Sequence, residues 1–212
     1  PDELQDATMW IKPLVLRQNT IDAVDGGWST CLRHFLRLQL LGPLSIETTG
    51  VAFTHEGCSY TVYAKLKFVL SDGEGLQVAF GLVGPAGIRP CVKCRNVLKK
   101  GSNLAHRRRL FVEIGCADRK KFVAATARDF HEEVDEVLAA HQEMVVGARS
   151  ATSFATLQKG MGVKAVPSGL LADTDLRERF SAVHAIHDDW MHGALQDGCL
   201  NVALNCLLDA WR

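Results

Sequence analysis

No apolar run in this 212-residue chain approaches the roughly 20 residues needed to cross a bilayer, and no signal-peptide pattern opens it. The expectation is an intracellular protein with no membrane partner. Net charge is zero, with 24 Lys and Arg against 24 Asp and Glu, which excludes coating a nucleic acid by bulk charge. A local basic groove remains open. There is no internal repeat and no low-complexity segment. The chain opens at Pro1 without an initiator Met. It closes at Trp211-Arg212 inside an apolar-periodic stretch that lacks a Gly, Asn or Pro stop signal. Both ends read as cuts through a longer protein. Familiar catalytic signatures are missing too. His131-Glu132-Glu133-Val134-Asp135 lacks the second His of a zinc-protease helix. Gly81-x-x-Gly84-x-x-Gly87 has no following Lys-Ser/Thr, and no Ser or Cys nucleophile sits in a recognisable elbow.

What is present is material for a core. Apolar residues make up 47% of the chain, enough for it to fold rather than remain a disordered tail. Its seven cysteines are odd in number and scattered, except for Cys91 and Cys94. Without a secretory signal, that pattern suits a reducing compartment, with buried thiols and one metal or redox pair.

Residues 10–17 read as a short edge strand containing Pro13, and Asp25-Gly26-Gly27 as a turn. Ser29 is expected to cap a helix over 30–41, with Leu32, Phe35, Leu36 and Leu40 on one face. Two strands, 46–54 and 58–70, are expected to meet across His55-Glu56-Gly57. In the second, Tyr60, Val62, Ala64, Leu66, Phe68 and Leu70 alternate like a strand with one buried face. A short helix over 74–83 and a Gly/Pro loop over 84–90 lead to Cys91. Residues 95–180 read as mostly helical, with the clearest helix from Phe130 to Met144 and a loop from Gly160 to Gly169. A final helix runs through Leu195, Cys199, Val202, Cys206 and Trp211.

Three constellations carry chemistry. Cys91-Val92-Lys93-Cys94 has the spacing of half a tetrahedral zinc site. The other half is expected from His184-x-x-His187-Asp188-Asp189-Trp190-Met191-His192, through His192 with Asp189 or His187. A redox pair or two inert thiols are the alternatives, and the segment lacks the βαβ context of a redox motif. His184 reads more plainly as an ordinary core or surface histidine. Asp72 ends the long strand, where an acid projects beyond a sheet edge and can hold a catalytic cation. Ser71-Asp72-Gly73 is equally an ordinary turn sequence. Finally, no acid lies between Leu76 and Val112, while Arg89, Lys93, Arg95, Lys99, Lys100, Arg107, Arg108 and Arg109 do. That stretch suits phosphate contacts, or is a solvated loop face.

Residues 50–94, with Ala64-Lys65-Leu66-Lys67-Phe68-Val69-Leu70-Ser71-Asp72 and Gly81-Leu82-Val83-Gly84-Pro85-Ala86-Gly87-Ile88-Arg89-Pro90-Cys91-Val92-Lys93-Cys94, resemble the core of CACTA (En/Spm) transposases. So does Asp189-Trp190-Met191-His192, within 187–200. The resemblance implies an α/β, partial ribonuclease H-like core over 1–90 and a mostly helical, zinc-clamped insertion over 91–192. Residues 193–212 would then start a helix that continues the core. It implies cut-and-paste transposition in the nucleus, with DNA as partner, structural Zn2+, and catalytic Mg2+ or Mn2+ held in part by Asp72. A homo-oligomer is compatible with it. The sequence departs from the family in having Gly73-Glu74-Gly75 where Pro-Ala usually follows the Asp. The first acid is expected upstream of Pro1 and the last beyond Arg212. A non-catalytic zinc-stabilised nucleic-acid or protein interaction module is the competing expectation.

Overall fold

A computed structural model of the chain describes residues 16–66, 69–71, 73–99, 111–179 and 181–188. The architecture is mixed α and β, with its strands in small separate sheets. No helix among the described residues is long and apolar enough to cross a membrane.

A short helix α1 (Gln18–Asp22) precedes α2 (Gly27–Leu40). Helix α2 starts earlier than its apolar spacing predicts, because Gly26 occupies the N-cap in a left-handed conformation, φ +76°. A Cβ there would meet Thr30 Oγ1 at 2.4 Å, so the position suits glycine alone. Ser29 is therefore inside the helix rather than capping it. Its buried hydroxyl instead accepts a hydrogen bond from the Leu170 amide at 3.0 Å.

Strands β1 (Val51–His55) and β2 (Cys58–Val62) form an antiparallel hairpin across Glu56-Gly57. The single strand expected over 58–70 is broken: β2 stops at Val62, and β3 (Val69–Ser71) belongs to a different sheet. Side chains alternate within the hairpin, but its apolar side is not buried. Phe53 pairs with Tyr60 and Val51 with Val62, and all four are about half exposed. Period-two patterning specifies which side chains share a face; it does not supply the layer that covers that face.

Helix α3 (Gly73–Phe80) follows, then a single 3-10 turn at Gly84–Ala86. The segment expected to be helical also holds a short parallel pair, β4 (Val97–Leu98) with β5 (Val112–Glu113). Helix α4 (Ala127–Val145) opens with a capping box, Thr126 and Asp129 each bonding the other's backbone amide. Helix α5 (Ala151–Met161) ends at Gly162, which is left-handed at φ +73°. A Cβ on Gly162 would lie 2.7 Å from the Arg89 carbonyl, so the chain crossing here requires its absence. Helices α6 (Thr174–Arg179) and α7 (Ala182–Ala185) lead into β6 (Ile186–Asp188). Strand β6 pairs in parallel with β3, with Val69 opposite Ile186, Leu70 opposite His187 and Ser71 opposite Asp188. Three residues are too few to show a period, so the sequence alone does not reveal this strand.

One apolar core joins these pieces. Leu36 and Leu40 of α2, Leu76 and Phe80 of α3, Phe130 and Val134 of α4, and Val183 and Ile186 near β6 belong to one buried cluster. It takes residues from both sides of position 90. A smaller cluster of Val137, Ala140, Phe154 and Met161 seals α4 against α5.

Candidate functional site

The Cys-x-x-Cys loop lies where the 3-10 turn, α3 and the start of β6 meet. It borders a cavity of about 210 Å³ lined by residues that include Gly73, Leu82, Arg89, Cys91, Lys93 and Ile186. Both thiols are free and partly buried. The Lys93 backbone N–H donates to Cys91 Sγ at 3.4 Å. Burial pushes the Cys94 thiol above its ordinary pKa, and the nearby Cys91 adds to this, while the Arg89 guanidinium opposes both. Cys94 also makes an isolated antiparallel bridge to Ala124.

Two of the basic side chains expected on phosphate have partners within the protein. Arg89 is buried, its guanidinium paired with Glu133 of α4 and donating to the Cys94 carbonyl at 3.2 Å. A cation already paired in the interior is not available to a strand of DNA. Lys93 directs its ammonium to the backbone carbonyls of Val183, at 2.7 Å, and Ile186. By contrast, Lys99 is exposed and Arg95 is partly so, with Arg95 within 3.5 Å of an Asp129 carboxylate oxygen. Lys100, Arg107, Arg108 and Arg109 lie outside the described residues, as do Asp72, Asp189 and His192.

His187 is placed as the central residue of β6. Among the described residues no group of three or more His, Cys, Asp or Glu side chains could hold a metal ion. The expected zinc set is therefore represented there by the cysteine pair, with Asp189 and His192 beyond it. His184 is exposed, the plain surface histidine of the alternative reading. Cys58 is exposed on the hairpin rather than buried, because nothing among the described residues covers β2.

Sequence reasoning missed the contacts that organise the region. Glu133 falls in an incomplete protease motif of the sequence, yet it partners Arg89. The signal available was its place on the apolar face of α4, beside Phe130 and Val134, where a lone charge demands a partner. No protein family, no curated protein and no solved structure matches this chain.

Proposed function

We propose that the chain is part of a cut-and-paste DNA transposase core of the CACTA (En/Spm) type, a partial ribonuclease H-like fold with a helical, zinc-bearing insertion. The observation that supports this reading is convergence. Strand β3, which leads to Asp72, runs parallel and in register with β6, which leads to Asp189-Trp190-Met191-His192. The Cys-x-x-Cys loop is bonded to the first residue of β6 through Lys93. The two strands that precede pieces of the resemblance thus pair with each other, and the thiol loop is bonded to the first residue of one of them.

The donor chemistry fits structural zinc. Cys91 and Cys94 would hold it, with His192 and Asp189 or His187 completing the set. Such a clamp closes a loop of about a hundred residues, replacing a large closure entropy by coordinate bonds. For the catalytic cations, Asp72 would be one ligand of the carboxylate set that the resemblance implies. Magnesium or manganese would supply activation of a water or 3′-hydroxyl and stabilisation of the leaving oxygen. DNA would be approached by Arg95, Lys99, Lys100, Arg107, Arg108 and Arg109.

The experiment is strand cleavage by the natural full-length protein with magnesium or manganese. Asp72→Asn keeps the side chain's shape and removes its charge, so cleavage should be abolished while the protein stays folded. A variant that cuts as well as its parent removes Asp72 from the catalytic set and this reading with it. A second reading, a non-catalytic zinc-stabilised interaction module, is favoured by one observation: the described sheets each have two strands. It predicts zinc-dependent partner binding and no cleavage by any full-length form.

A further inference from the structure

The cavity beside the thiol loop has a lining of one charge sign. Its volume is about 210 Å³, and apolar side chains such as Leu76, Leu82, Val92 and Ile186 predominate in the wall. The charged residues in that wall are Arg89 and Lys93, and no Asp or Glu lines it.

Both cations keep a donor in hand. Lys93 directs its ammonium to the Val183 carbonyl at 2.7 Å and to the Ile186 carbonyl, which leaves one N–H of its three. Among the described residues no carboxylate pairs with it. Arg89 is paired with Glu133 and donates to the Cys94 carbonyl at 3.2 Å, yet its buried Nε has no partner. Glu133, which balances that guanidinium, is not in the cavity wall. A buried donor without an acceptor and a partly buried cation without a counter-charge both raise the free energy of an empty site. Water would satisfy the Nε–H but leave the Lys93 charge as it is. An anion answers both.

The apolar wall selects among anions. Phosphate carries more acceptors than these donors can serve, so entering would strip its water without replacing it. A carboxylate has two oxygens for two donors, and it can carry an alkyl chain to the apolar side. An apolar cavity of about 150 Å³ takes up benzene, so a space of about 210 Å³ suits a chain of about four to six carbons. We propose that this cavity binds a small monocarboxylate, its oxygens on Lys93 and the Arg89 Nε–H and its chain against Leu76, Leu82 and Val92. Because two carbonyls already fix the Lys93 side chain, little of its freedom is lost when the ligand arrives. The zinc and transposase readings place no small molecule here, so this site is independent of both.

The test is calorimetric titration of the whole chain with pentanoate and, in parallel, with pentanamide, decanoate and inorganic phosphate. Pentanoate should bind once per chain and about 10-fold or more tighter than pentanamide, which has the same shape and no charge. Phosphate should bind far more weakly for want of donors, and decanoate for want of room. Equal binding of pentanoate and pentanamide, or binding of neither, overturns the site and leaves the cavity to water. Phosphate as tight as pentanoate overturns the carboxylate assignment, and decanoate as tight overturns the cavity as its place. Lys93→Met should weaken pentanoate by about 10-fold, to the level of the amide, and leave pentanamide unchanged. A lysine that only supported the fold would weaken both ligands alike, and that result overturns its role in binding. Should Lys93→Met not fold, Gly73→Leu tests the same cavity from its wall. Gly73 is not at positive φ, and a Cβ there would meet nothing within 4 Å, so the backbone admits the larger side chain. That variant should lose pentanoate and pentanamide together; parental affinity in it overturns the proposal.

Discussion

Asp173 shows how a buried charge is kept. Burial pushes its carboxyl pKa up, but hydrogen bonds from Arg33 and Arg37 of α2 and from the Leu176 amide outweigh this, leaving it at about 2. The depressed value means that the unfolded chain takes up a proton more readily. Asp173 therefore contributes stability above its ordinary value of 3.8, and this is lost as pH falls through about 2. Asp173→Asn should cost about 1–2 kcal/mol at neutral pH, since both arginines stay partly solvated. It should also flatten the acid limb of urea-denaturation stability between pH 4 and 2; an unchanged limb would show that other groups set acid sensitivity. Arg89 and Glu133 differ, both being buried. Glu133→Gln should destabilise by about 3–5 kcal/mol, because it leaves a guanidinium without its counter-charge. The double variant Arg89→Met/Glu133→Met should recover much of that loss. A double variant as unstable as the sum of the two singles would mean that the two side chains are uncoupled and that each loss comes from its other contacts.

Helix α4 and the β1–β2 hairpin stand at opposite ends of local stability. Helix α4 has its capping box, an apolar face buried in both clusters, and an Arg177–Asp135 ion pair at 2.7 Å. Thr126→Ala should therefore cost about 1 kcal/mol, read as a shifted denaturation midpoint with unchanged slope. The hairpin has five residues per strand, all exposed, and a Phe53–Tyr60 ring pair at 5.4 Å. Two strands without a covering layer are marginal in water. Hydrogen exchange should open Val51–Val62 well before α4; comparable protection would show that the hairpin face is covered in solution. His131, on α4, adds a pH effect. Burial lowers its pKa and the Arg177 charge lowers it further, against a smaller opposing effect from Asp135. The unfolded chain binds the proton first, so this contribution is intact above about 6.5 and is lost as pH falls below it.

The molecule carries no net charge, so DNA binding would come from a local patch. With Arg89 and Lys93 turned inward, the expected contacts fall to Arg95, Lys99, Lys100 and Arg107–Arg109. Binding should be weak and nearly sequence-independent, with a log–log salt slope of about −0.9 per phosphate neutralised. Replacing Arg107, Arg108 and Arg109 together should flatten that slope. Equal slopes in parent and triple variant would identify these arginines as a solvated face.

Several elements were legible from residue order. The α2 stripe of Leu32, Phe35, Leu36 and Leu40, the α4 stripe of Phe130, Val134 and Val137, and the alternation of the hairpin all rest on local periods of 3.6 or 2. The paired thiols were legible for the same reason, since four adjacent residues define their spacing. Tertiary structure decided the rest. Whether a patterned face is covered, whether Arg89 meets a phosphate or Glu133, and which carbonyls receive the Lys93 ammonium depend on partners 44 to 93 residues away. Such pairings leave no period in the chain. They are set by which helices and strands the common core draws together, so a cation's charge can be read from its letter while its partner cannot.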